Sequence, residues 1–291
     1  MEFDFVLSRP DGQDLVCYRW SGNETPRGVL VVAHGMGEHA NRYRPALAAV
    51  IDAGFVVYAP DHRGHGRTLS LSGGEPGDFG PGGFPGVVDD LASLARRARE
   101  EHPSIPVYLL GHSMGSFIAQ SFLIDHGDRI DGAILVGTTA VDLLAEAVMR
   151  ESDVMAALNR PFEPARTPCD WLSRDKGQVD AYIADPLCGF ALVPDSMISM
   201  LSQGARLADT AALSRIPAGL PLRVMVGERD TLINSLGKLQ PVLDRYRAVG
   251  LKPDVSIYPD ARHEILNEIN REEVVGDLTR WLLRQSARQT A

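Results

Sequence analysis

The sequence is poor in cysteine, in positive charge and in long apolar runs, and each shortage bears on what the chain does. Cys17, Cys169 and Cys188 are odd in number, with no CxxC pair and no close metal-ligand spacing. That usage fits three ordinary thiols in a reducing compartment, not a disulfide framework or a zinc module. Lysine and arginine total 29 against 38 aspartates and glutamates, a formal net charge of -9. Nucleic-acid phosphates and anionic membranes attract the opposite sign, which argues against both as partners and leaves neutral lipids open. No apolar run approaches the length of a membrane span. The start, Met1-Glu2-Phe3-Asp4, is acidic where a signal peptide carries its basic region. No internal repeat or low-complexity tail appears. The expectation is a soluble, cytoplasmic enzyme of small molecules, with at most transient membrane contact.

What is present is a rhythm of short apolar runs and helical stripes over 291 residues. Phe5-Val6-Leu7 and Leu15-Val16-Cys17-Tyr18 read as two strands joined by the Pro10-Asp11-Gly12 turn. Six more runs follow: Val29 to Ala33, Phe55 to Ala59, Val107 to Leu110, Ala133 to Val136, Leu222 to Val226 and Val255 to Tyr258. None alternates with polar residues, the mark of strands covered on both faces, as in a parallel sheet. Helical stripes lie between them: Pro45, Leu47, Ala48, Ile51; Val87, Leu91, Leu94, Ala98; Leu239, Val242, Leu243, Tyr246; Val274, Leu278, Trp281, Leu282. This alternation predicts an α/β fold, a mostly parallel eight-stranded sheet flanked by helices. Between Thr138 and Ala211 the rhythm stops, for far longer than a connection needs. The organisation expected is a core over 1–138 and 212–291, with a helical cap inserted at 139–211. Such a cap encloses a pocket, and Leu143, Leu144 and Val148 are expected to be available to line it.

One strand runs directly into Gly111-His112-Ser113-Met114-Gly115, and Phe117, Ile118 and Phe122 open a helix. G-x-S-x-G between a buried strand and a helix is a nucleophile elbow: a tight turn that exposes Ser113 at a positive helix end. A serine hydroxyl needs a base, and the base a carboxylate, in the chain order Ser, acid, His. Apart from His126, at the far end of the helix that Ser113 opens, His263 is the only histidine downstream. Asp230 ends a strand through Gly227-Glu228-Arg229-Asp230 and is the expected acid, with Glu228 the rival on the same loop.

The strand Val29 to Ala33 ends in His34-Gly35-Met36-Gly37-Glu38-His39. In a hydrolase with this elbow, that loop and the residue after the nucleophile supply backbone N–H groups to an oxyanion, hence Met36 and Met114. A competing pattern overlaps it. Gly35-x-Gly37-x-x-Ala40 matches a dinucleotide fingerprint, with Asp61 ending the next strand as the acidic residue. Glu38 would face the pyrophosphate with like charge, and a nucleotide explains neither Ser113 nor His263. In Asp61-His62-Arg63-Gly64-His65-Gly66 the histidines suggest a metal, but arginines flank them and no third ligand is near in sequence. A loop bracing the strand ends is the expectation.

Together with Arg262-His263-Glu264-x-x-Asn267-Glu268 and Asp185-Pro186-Leu187-Cys188, these motifs resemble the monoacylglycerol lipase and lysophospholipase group of capped α/β-hydrolases, filed beside serine aminopeptidases. The resemblance implies Ser113, Asp230 and His263 as a triad, Met36 and Met114 as oxyanion donors, and neither metal nor organic cofactor. It implies hydrolysis of carboxylic esters: monoacylglycerols, lysophospholipids or short- to medium-chain acyl esters. An aminopeptidase- or amidase-type hydrolase on the same triad is the alternative, with a dinucleotide-binding oxidoreductase a distant third. Ser116 departs from the group, which has another glycine there.

Overall fold

The β-branched and apolar runs form one sheet in the computed structural model, which describes residues 2–151, 153–233 and 237–289. The extremes of the expected core (1, 290, 291), and residues 152 and 234–236, lie outside the described residues. The strands are β1 Glu2–Ser8, β2 Asp14–Trp20, β3 Gly28–Ala33, β4 Phe55–Pro60, β5 Val107–His112, β6 Gly132–Val136, β7 Leu222–Gly227 and β8 Asp254–Tyr258. Their order is β1-β2-β4-β3-β5-β6-β7-β8. Only β2 runs against its neighbours; the rest of the sheet is parallel. This is the expected α/β-hydrolase fold.

Register places the site. Ala33 pairs with Gly111, Gly111 with Leu135, and Leu135 with Val224. The carboxyl ends of β3, β5, β6 and β7 therefore finish side by side. Loops leaving that edge carry His34–His39, Ser113, Thr138 and Asp230, and His263 follows β8. Open parallel sheets gather ligands at this edge.

Helices cover both faces. One layer packs the helices Gly83–Glu101, Met114–His126 and Leu239–Ala248 through Val87, Leu91, Phe117, Phe122, Val242 and Tyr246. The other packs Arg271–Gln289 through Val274, Leu278, Trp281 and Leu282, as the stripe predicts. The segment 43–52 differs from expectation. It forms two short helices, Tyr43–Ala46 and Ala48–Asp52, with Leu47 between them. Tyr43, Leu47 and Val50 are the buried stripe; Pro45 and Ala48 are exposed. β8 also departs from the two-faced burial expected of it. It is the outermost strand, and Ile257 is 42% exposed.

Between β6 and β7 the described residues form six short α-helices, Val141–Val148, Val154–Asn159, Lys176–Ala184, Pro194–Leu201, Gly204–Ala208 and Thr210–Leu213, and one 3-10 turn, Arg160–Phe162. Side chains of Asp153, Asp175 and Asp209 cap three of them by accepting first-turn N–H groups. Helices this short depend on packing. Leu144, Met200 and Leu207 join the main core, while Trp171, Leu172 and Tyr182 form a separate small cluster. Among the described residues, no helix is long and apolar enough to cross a membrane.

Candidate active site

At the elbow, glycine is required by space. A Cβ on Gly111 would lie 2.2 Å from the Gly115 carbonyl oxygen, and one on Gly115 would lie 2.0 Å from that of Ala33. Both obstacles are backbone and cannot yield. The turn holds Ser113 at φ 54°, ψ -122°, one of two described non-glycine residues at positive φ. Such strain costs on the order of 1–3 kcal/mol and persists where its surroundings enforce it. Here the Ser113 N–H donates to the Val136 carbonyl at 3.0 Å. Ser116 adds a brace of its own. Its hydroxyl donates to the Ser113 carbonyl at 2.6 Å and lies 2.9 Å from Thr138 Oγ1. Met114 begins the helix, so its N–H has no intrahelical acceptor.

His263 Nδ1 lies 2.9 Å from Asp230 Oδ2, and the other Asp230 oxygen accepts the Leu232 N–H at 2.9 Å. Glu228 turns away, accepting the Asp260 N–H at 3.1 Å. His126 pairs with Asp89 at 3.3 Å. The sequence reading missed what holds the imidazole. His263 is flanked by His112, ring centres 4.8 Å apart, and by Trp171 from the insertion, 4.9 Å. Burial opposes charging of His263, but the Asp230 carboxylate outweighs it and raises its pKa. His263 Nε2 is buried and has no hydrogen-bond partner. An imidazole anchored at one nitrogen and free at the other is arranged to exchange a proton.

The loop after β3 is fixed by a buried ionic network, also missed from sequence. Glu38 Oε1 accepts the Gly35 N–H at 2.7 Å and the Tyr43 hydroxyl at 2.6 Å. Arg42 bonds Glu38 and grips Glu264 with two bonds of 2.9 and 2.8 Å. Burial favours protonation of both carboxylates, yet Arg42 holds both below their ordinary range. Breaking such a pair leaves unpaired buried charge, at a cost of about 3–5 kcal/mol. Arg42→Met is therefore expected to lower unfolding stability at pH 7 by about that amount, measured by urea denaturation. The loss should shrink as pH falls below the ordinary 4.5 through the depressed carboxylate values, since protonated carboxyls no longer need Arg42.

Two rival readings fail on geometry. Asp61 is buried, and its carboxylate accepts the N–H groups of Ala40 (2.8 Å) and Arg67 (2.7 Å) and the Tyr18 hydroxyl (3.0 Å). It is not free to hold a ribose, and Glu38 occupies the turn where a pyrophosphate would sit. Among the described residues the histidines near Asp61 pack as tilted rings and do not form a metal-ligand group. His34 Nε2 accepts the His62 N–H at 3.0 Å, and its ring lies 4.2 Å from His62 and 5.3 Å from His65. Burial lowers the pKa of all three, His62 to about 3 and His65 to about 4, which favours the neutral rings.

Ser113 stands where two cavities meet. One, of about 260 Å³, is lined by Gly35, Glu38, His112, Tyr182, His263 and Glu264 among others. The other is narrower, about 60 Å³, and almost wholly apolar, with Phe117, Leu144, Val148, Leu158 and Leu232 in its walls. Met36, Met155 and Trp171 border both. Leu144 and Val148 line it as the sequence suggested; Leu143 faces a different, outer cavity instead.

Known proteins resemble this chain in sequence and in fold. The family described as "Serine aminopeptidase, S33" matches residues 24–270. A monoacylglycerol lipase of Mycolicibacterium smegmatis is 31% identical over 267 residues, covering 91% of each chain. The human monoglyceride lipase is 28% identical, covering 97% of this chain and 90% of that one. Among solved structures, a thermostable carboxyl esterase from Bacillus coagulans, crystallised with glycerol, superposes with a TM-score of 0.87 at 27% identity. That match spans 98% of this chain and 99% of the esterase.

Proposed function

The chain belongs to the serine aminopeptidase S33 family of α/β-hydrolases, and from that premise we propose that it hydrolyses carboxylic esters, monoacylglycerols foremost, through Ser113, His263 and Asp230. The observation that carries the reading is His263, bonded to Asp230 at Nδ1 and buried without a partner at Nε2, beside a strained serine. His263 Nε2 takes the Ser113 proton as Oγ attacks the ester carbonyl. Backbone N–H groups of Met36 and Met114 stabilise the oxyanion. Collapse expels the alcohol, which receives the proton from His263, and leaves an acyl-serine. Water then repeats the sequence against the acyl group and regenerates Ser113. Asp230 keeps the proton of neutral His263 on Nδ1 and stabilises the imidazolium.

The two cavities support a division of the substrate. The apolar one suits the acyl chain. Five of the chain's eight methionines line it (Met36, Met114, Met155, Met197, Met200), and their flexible side chains let so narrow a space widen. The other suits the alcohol. About 260 Å³ is below the roughly 300–1,000 Å³ of drug-sized sites, room for glycerol but not for a diacylglycerol. Its carboxylates, Glu38 and Glu264, are both paired with Arg42, so neither is free to bind a peptide's terminal ammonium. Both features favour monoacyl esters over triglycerides and over the aminopeptidase alternative.

The test is kcat/KM across monoolein, triolein, short-chain p-nitrophenyl esters and an aminoacyl anilide. Monoolein or the p-nitrophenyl esters should lead, with triolein and the anilide at least about 100-fold lower, a gap of roughly 2.7 kcal/mol in transition-state binding. Triolein or the anilide in front would overturn the substrate assignment while leaving the catalytic residues standing.

A further inference from the structure

Beside the oxyanion loop, three residues far apart in sequence converge. His39 ends the loop after β3, Asp185 follows the helix Lys176–Ala184, and Cys188 lies one turn further on. An imidazole nitrogen of His39, an Asp185 carboxylate oxygen and Cys188 Sγ all lie within 4.8 Å of one another. The residues are held in place. Asp185 Oδ1 accepts the Leu187 N–H at 2.9 Å, leaving Oδ2 directed at His39 Nε2, also 2.9 Å away. The Cys188 N–H donates to the Asp185 carbonyl at 3.0 Å. Just beside them the Gly189 N–H and the Tyr182 hydroxyl both donate to the Gly37 carbonyl, at 2.9 and 3.0 Å.

We propose that His39, Asp185 and Cys188 form a zinc-class cation site that clamps the insertion onto the oxyanion loop. One nitrogen, one oxygen and one sulfur donor are the mixed set that a borderline-soft divalent ion takes, with water as fourth ligand. Bond lengths near 2.0–2.3 Å put tetrahedral ligand atoms roughly 3.3–3.8 Å apart, so modest rotamer changes close the site. Binding replaces the His39–Asp185 hydrogen bond: the imidazole carries its proton on Nδ1, the Cys188 thiol proton leaves to solvent, and no electrons are exchanged. Burial first, and then the carboxylates of Glu38, Asp185 and Glu264 against Arg42, push the Cys188 thiol up, so the ion must displace its proton; the same net negative set attracts a cation. This goes beyond the hydrolytic reading and does not depend on it, because the ion is regulatory or structural and no catalytic step uses it.

The experiment is titration of the purified full chain with Co²⁺, then Zn²⁺, without substrate. One equivalent of Co²⁺ should produce a thiolate-to-cobalt charge-transfer band and tetrahedral ligand-field bands, both bleached by Zn²⁺. Saturating Zn²⁺ at about 100 times Kd should raise Tm by about 5 °C. Cys188→Ala and Asp185→Asn should lose the band and the shift, whereas Cys169→Ala should keep both. Cys188→Ser replaces Cys188→Ala if the alanine variant does not fold. No thiolate band in the parent chain, a band that survives loss of Cys188, or one lost with Cys169 would overturn the proposal. Ester hydrolysis by metal-free protein is measured in parallel, so failure here is distinguishable from failure of the hydrolase assignment.

Discussion

Replacing Ser113 by alanine should lower kcat for ester hydrolysis by about 10⁶, the scale on which loss of the nucleophile acts in serine hydrolases of this logic. The loss should fall on kcat far more than on KM, because the two cavities that meet at Ser113 remain. Folding should not suffer. The Ser113 side chain is not needed for the bonds that hold the turn: its N–H to Val136 and its carbonyl to Ser116 are backbone groups that alanine keeps. Alanine at φ 54° is no easier to hold than serine, so Tm should move little. Equal hydrolysis by the variant would place the nucleophile elsewhere.

Asp230→Asn should lower kcat by about 10⁴ while preserving the fold, because an amide fails to hold the productive tautomer of His263. The pH profile gives an independent reading. An imidazole takes a proton only when neutral, as the proposed role of His263 requires, and Asp230 raises its pKa above the ordinary 6.5 against the opposing effect of burial. The parent enzyme should thus lose kcat/KM as pH falls through a value above 6.5. Without the carboxylate, burial prevails, and that limb should move to lower pH. Glu228→Gln should leave both rate and profile nearly unchanged, since its carboxylate serves the Asp260 N–H. If Glu228→Gln instead proves the more damaging, the acid is misassigned.

The parts legible in the sequence are those encoded locally. Buried parallel strands announce themselves as unbroken apolar runs, and the elbow's glycines lie two residues either side of the serine they permit. The stripes of the helices Gly83–Glu101, Leu239–Ala248 and Arg271–Gln289 fall on buried residues because one face of each meets the sheet. The stripe at 43–52 slipped because a break at Leu47 resets the helical phase. The residues overlooked act through distant partners. Trp171 reaches His263 across 92 positions of chain, and Arg42 reaches Glu264 across 222. Charged residues such as Glu38, Arg42 and Glu264 are read by default as solvated; only the fold shows them buried and mutually satisfied. Ser116 stands out in the sequence only as a departure from the related group, and its bond to the elbow carbonyl depends on where Thr138 lies after β6.

Covalent capture of the nucleophile tests the central claim most directly. The purified chain is incubated with a fluorophosphonate and its intact mass recorded, followed by peptide mapping and the same experiment on Ser113→Ala. The account predicts one adduct per chain, located on Ser113, formed at a rate that falls when monoacylglycerol is present and absent from the alanine variant. An unmodified parent chain, or an adduct that maps elsewhere or persists in Ser113→Ala, would contradict it.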